Sequence, residues 1–123
     1  DGCTDADTIP KPPWRERKEA YIAHVSDASP SVRLVSAADK LHNVRAILAD
    51  YQELGDRLWC RFSGGRDGTL WYYRTLADTF QEAESTPLTE ELTRTVAELE
   101  RVTARSIWWR LRSLTFRRSL ECP

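Results

Sequence analysis

The stretch that decides the fold runs from Pro30 to Leu54 and reads P-S-V-R-L-V-S-A-A-D-K-L-H-N-V-R-A-I-L-A-D-Y-Q-E-L. Val32, Leu34, Val35, Ala37, Ala38, Leu41, Val44, Ile47, Leu48 and Tyr51 cover almost the whole circumference of an α-helix. A helix apolar nearly all round is expected at the centre of a bundle rather than on its surface. Ser29 offers a hydroxyl N-cap, Pro30 suits the first helical position, and Gly55 marks the stop.

Helical spacing continues on both sides. Upstream, Trp14, Lys18, Tyr21, Ile22 and Val25 define a stripe from Trp14 to about Ala28, entered through Pro12 and Pro13. Downstream, Asp56 to Phe62 reads as a short helical turn and Ser63 to Gly68 as a loop. Asp67 is the expected cap of a helix from about Gly68 to Ala83, with Leu70, Tyr73, Leu76, Ala77 and Phe80 on one face. Thr86-Pro87 opens a last helix carrying Leu88, Leu92, Val96, Leu99 and Val102. No alternating strand pattern and no internal repeat appears, so the expected fold class is all-α, a helical bundle.

The chain has 123 residues, a length that suits one domain with its own core. The net charge of −1 gives no global reason to bind nucleic acid or an anionic membrane. That near-neutral total hides a split: residues 1–100 carry −6 and residues 101–123 carry +5. In the latter stretch arginines 101, 105, 110, 112, 117 and 118 interleave with Ile107, Trp108, Leu111, Leu114 and Phe116. It reads either as a terminal helix docking on the body or a sister chain, or as a surface helix for anionic lipid or nucleic acid. Cys3, Cys60 and Cys122 are odd in number and irregularly spaced, which speaks against a disulfide framework and for a reducing cytoplasm. No apolar run approaches a transmembrane span, and the first residues do not form a signal peptide. With no methionine and Asp1 at its start, the chain reads as a processed product or part of something longer.

The chemistry is concentrated in Ser36-Ala37-Ala38-Asp39-Lys40-Leu41-His42-Asn43-Val44-Arg45. Asp39, Asn43 and Ala46 share one side of the helix at i, i+4 and i+7, with His42 beside them. A carboxylate buried in such a helix is costly unless it is paired or coordinates a cation. Asp39 is thus either a metal ligand or half of a structural ion pair with an arginine, and spacing leaves both open.

The decapeptide resembles the last motif of the HD-domain metal-dependent phosphohydrolases, closest to the Rel/Spo-type branch that hydrolyses guanosine tetra- and pentaphosphate, where it reads approximately L-A-D-[KR]-L-H-N-x-R. Ile9 to Tyr21 (I-P-K-P-P-W-R-E-R-K-E-A-Y) and the segments L-W-C-R-F and G-T-L-W-Y-Y-R around Trp59 and Trp71 extend the resemblance over roughly residues 2–103. It implies a helical bundle that binds one divalent cation, often manganese, through two histidines and two aspartates. Asp39 matches the last of these ligands. Asn43 matches a position near the nucleotide, and Arg45 matches a neighbouring or phosphate-contacting one. His42 is no ligand in the family and is expected to hydrogen-bond within the core.

The first His and the adjacent His-Asp pair have no counterpart here, where the histidines are His24 and His42. The resemblance therefore makes residues 1–103 the C-terminal part of an HD domain, lacking the family's N-terminal metal-binding helices, followed by a basic tail at 104–123. The isolated chain is expected not to hydrolyse its nucleotide or phosphoester substrate, because one aspartate does not hold a catalytic cation. Apolar surface is expected where the missing helices pack, and with it self-association into a homo-oligomer. The alternative is a non-catalytic helical interaction module.

Outside the motif, Lys11, Arg15, Arg17 and Lys18 form a basic cluster that suits a polyphosphate, or else a solvated face paired with Glu16 and Glu19. Trp71-Tyr72-Tyr73 fits the core better than a base-stacking platform, and Cys60 reads as a small buried residue. The Gly64-Gly65 loop lacks the P-loop pattern.

Overall fold

The structure, a computed structural model, describes the backbone of residues 13–112 and the side chains of residues 13–104. Among the described residues four α-helices and one 3-10 helix follow one another: α1 (Trp14–Asp27), α2 (Pro30–Leu54), the 3-10 helix (Gly55–Arg61), α3 (Gly65–Ala83) and α4 (Pro87–Arg112). No strand occurs among the described residues. The all-α bundle expected from the periodicity is what forms.

Local chemistry sets the helix ends. Ser29 Oγ accepts the Val32 amide at 3.3 Å, and Pro30 follows at the first helical position. Gly55 closes α2 with φ +65°, a backbone conformation that costs glycine no Cβ clash, while its amide donates to the Tyr51 carbonyl. At the start of α4, Thr86 Oγ1 accepts the Thr89 amide at 3.1 Å and Thr89 Oγ1 accepts the Thr86 amide at 2.8 Å. This is a reciprocal capping box with threonine in place of the usual glutamate.

The core lies between α2, α3 and α4. Phe80, Leu76, Leu92, Leu99, Val96 and Val44 are essentially inaccessible, with Leu58 of the 3-10 helix sealing one end. Arg74 of α3 grips Glu100 of α4 with two hydrogen bonds, at 3.0 and 2.8 Å. Half-exposed as it is, that pair contributes about 1 kcal/mol or less and acts mainly to fix register. Asp56 accepts from both Tyr51 Oη and Trp59 Nε1 at 3.3 Å, which ties the 3-10 helix to the end of α2.

Helix α1 is attached more thinly, with Val25 its one fully buried residue. Its main anchor is Trp14, whose ring lies edge-on to Trp71 and Tyr72 and directly over the backbone of Gly64 and Gly68.

Two expectations need correction here. Helix α2 is not covered all round: Val32, Leu34 and Val35 are 44%, 58% and 70% exposed, and Ala38, His42, Ala46 and Ala49 are exposed along the same side. The remaining helices cover only the opposite half of its circumference, through Ala37, Leu41, Val44, Ile47 and Tyr51. Helix α3 starts at Gly65, three residues before Gly68, with Gly64 rather than Asp67 at its cap. The paired glycines allow the helix backbone to begin beneath the Trp14 ring, and Asp67 joins the first turn, where its charge suits the helix dipole.

Candidate functional site

The motif residues of α2 separate onto different edges of the helix. Asp39 and Asn43 lie on the edge facing α1 and α3. There Asn43 favours the ionised form of the Tyr73 hydroxyl, and the charge of Asp39 opposes ionisation of both Tyr72 and Tyr73. Arg45 lies on the other edge, at the cleft between α2 and α4, where it pairs with Glu91 at 3.3 Å. His42 occupies the open face between the two edges and is exposed, so it is not the core histidine that was expected. The structure thus brings Asp39 and Asn43 together and sets Arg45 apart.

Asp39 is not a buried carboxylate. Its side chain is 59% exposed, and its partner is Lys40 at 3.3 Å, not an arginine. Lys40 is the more buried of the two at 13% exposure, with its ammonium 4.7 Å from the Tyr21 ring centroid. Helix α1 delivers a second lysine nearby. Lys18 Nζ sits 4.5 Å from the centroid of Tyr72 and 5.9 Å from that of Trp14. The two tyrosines carrying these cations are neighbours, with ring centroids 6.5 Å apart. Burial lowers the Lys18 pKa below its ordinary value, and the charges of Lys40 and Arg17 push it further in the same direction. Sequence reasoning did not single out Lys40 for a binding role.

Of the basic cluster near the N-terminus, Lys11 lies outside the described residues. Arg15 pairs with Glu19 at 3.0 Å, one helical turn on, and its guanidinium stacks 3.5 Å from the Trp71 ring centroid. The Trp71-Tyr72-Tyr73 run behaves as core, with Tyr72 and Tyr73 buried and Trp71 half-buried. Cys60 departs from expectation: it is exposed and disulfide-bonded, its partner lying outside the described residues. That removes the cysteine-based argument for a reducing compartment.

Burial raises the pKa of both tyrosines. For Tyr73 the Asn43 hydrogen bond works against that rise, and the Asp39 charge adds to it. A phenol that holds its proton more tightly when folded contributes stability that is complete below its ordinary pKa and is lost as pH rises past it. Thermal stability is therefore expected to fall steeply above about pH 10. Tyrosinate absorbance should show two phenols titrating only with that unfolding. Early titration of every tyrosine in the intact fold would contradict this placement.

Among the described residues, no three His, Cys, Asp or Glu side chains come together as a cation site, and no helix is long and apolar enough to cross a membrane. One exposed carboxylate beside two lysines does not by itself fit a divalent cation, which needs several oxygen or nitrogen donors to replace its water. No protein-family model matches the chain, and no curated protein matches it.

Proposed function

We propose that this chain forms part of an HD-domain-type metal-dependent phosphohydrolase acting on a nucleotide or guanosine polyphosphate. The observation that carries the reading is the S-A-A-D-K-L-H-N-V-R motif, with Asp39 and Asn43 on one accessible edge of α2 beside lysines and aromatic rings. In this reading Asp39 is one ligand of a divalent cation, manganese by the resemblance, and the other three ligands would come from polypeptide other than these 123 residues. The cation would activate water and neutralise charge at the phosphate. The chain's own contribution is to present the Asp39 carboxylate to solvent and to place Asn43 on the same edge of α2, beside Tyr73, for substrate. Arg45 would meet substrate only from the α4 side of the helix, and Lys11 is proposed as a phosphate contact. The Cys60 disulfide leaves the proposal without a compartment, so it is made for the chemistry alone.

The reading requires a His and an adjacent His-Asp pair on polypeptide preceding these helices. The gene encoding the chain is expected to supply them, and the full polypeptide to release phosphate or pyrophosphate with manganese. Asp39→Ala should then lose more than the about 100-fold that outer partners of a metal site command. The 123-residue chain alone should show no such activity. Absence of those ligands from the gene, or full activity in Asp39→Ala, overturns the proposal.

The uncovered side of α2 favours a second reading, a helical interaction module. Val32, Leu34 and Val35 form an apolar patch at the start of the helix. Concentration-dependent self-association of a full polypeptide that hydrolyses nothing would select it.

A further inference from the structure

Between α1 and the start of α3 lies a small open recess of about 70 Å³. Trp14, Phe62 and Tyr72 form its apolar walls, and Lys18, Ser63 and Thr69 contribute its polar groups. No carboxylate among the described residues pairs with Lys18. Its described contacts are the faces of Tyr72 and Trp14, while Lys40 stands nearby on Tyr21. Two ammonium groups held together on a partly desolvated aromatic surface repel each other, and the arrangement is relieved by an anion between or in front of them. Aromatic faces hold cations in place without neutralising them, so the positive charge remains available to a ligand. The hydroxyls of Ser63 and Thr69 can donate from the same recess.

We infer that this recess is an oxyanion subsite: Lys18, backed by Lys40 and assisted by the Ser63 and Thr69 hydroxyls, binds a phosphate or pyrophosphate group. Asp39, already engaged with Lys40, tunes the strength of that site by partly neutralising it. The inference deepens the phosphohydrolase reading and rests on it, because it names where the anionic part of the substrate would sit. It needs no metal. Arg15, stacked on Trp71 and paired with Glu19, lies outside this set.

Inorganic pyrophosphate, titrated into the chain with a chelator present and followed by tryptophan fluorescence and calorimetry, tests it. The expected result is one-site binding that Lys18→Gln weakens about tenfold or more, the scale of a lost charge-assisted hydrogen bond. Lys18→Arg should retain most of the affinity, and Asp39→Asn should bind more tightly than the parent by freeing Lys40. Arg94→Gln, on the α2–α4 side of the molecule, should bind as the parent does. Thermal melts of each variant separate loss of binding from loss of fold. No binding by the parent, equal binding by Lys18→Gln, or equal weakening by Arg94→Gln overturns the inference. Because the titration is metal-free, failure of the phosphohydrolase reading would appear in the Asp39→Ala assay and not here.

Discussion

Phe80→Ala is expected to destabilise the protein by about 3–5 kcal/mol, the cost of emptying a large side chain from a packed core. Phe80 is 1% exposed and sits between α2 and the α3–α4 turn, beside Ala37, Leu88 and Thr89. Nothing at that end can collapse cheaply into the space, because Ala37 is already small and both Thr89 and Thr86 are committed to the cap of α4. Domains of this size are stable by about 5–15 kcal/mol, so the loss would leave a marginal fold. Urea unfolding followed by circular dichroism measures it. A loss below about 1.5 kcal/mol would mean that Phe80 is not in a close-packed interior. Leu88→Ala, at a half-buried neighbouring position, should cost much less.

Gly64→Ala should have the second largest effect and a different signature. A Cβ at Gly64 would stand 2.5–2.9 Å from three atoms of the Trp14 ring, while Gly64 has φ −82°, so the strain is steric rather than conformational. The indole is rigid and wedged against Trp71 and Tyr72, so relief requires α1 to move. Overpacking of this kind costs about 1–3 kcal/mol. A 14-residue helix with one fully buried side chain has little else to hold it. Near-UV circular dichroism should lose much of its tryptophan signal while the far-UV helix signal falls only modestly. Pyrophosphate binding should be lost with it, since α1 carries Lys18. Gly68→Ala, whose Cβ would stand 3.0 Å from the same ring, should act in the same direction and more weakly. In a Trp14→Leu background the Gly64→Ala penalty should largely vanish. Additive losses in the double variant would refute the ring-on-glycine contact.

The helices themselves were readable because their signals are local. Ser29-Pro30 and Thr86-Pro87 set helix starts through hydrogen bonds spanning three residues, and Gly55 ends α2 through its own backbone geometry. The core positions Leu41, Val44, Leu76, Phe80, Leu92, Val96 and Leu99 followed from periodicity for the same reason. Asp39 and Asn43 could be placed on one side of α2 from spacing, and there the structure puts them. The start of α3 was misplaced because the deciding partner, Trp14, is distant in sequence.

What the sequence determined by itself, then, is four helices, the caps of α2 and α4 and the apolar positions that join them, since each depends on neighbours within about one turn. The tertiary structure alone decided which half of α2 is covered. Its apolar residues occur on all sides and so name no preferred face. The same packing decided that Asp39 is exposed and paired with Lys40, that Arg45 belongs to the α4 side, and that Lys18 and Lys40 stand on the neighbouring rings of Tyr72 and Tyr21. Apart from the adjacent Asp39–Lys40 pair, those juxtapositions join residues many helical turns apart in the chain, Lys18 with Tyr72, Lys40 with Tyr21 and Arg45 with Glu91. The docking of α1 onto α2 and α3 creates the lysine–tyrosine contacts, and the packing of α4 on α2 places Arg45.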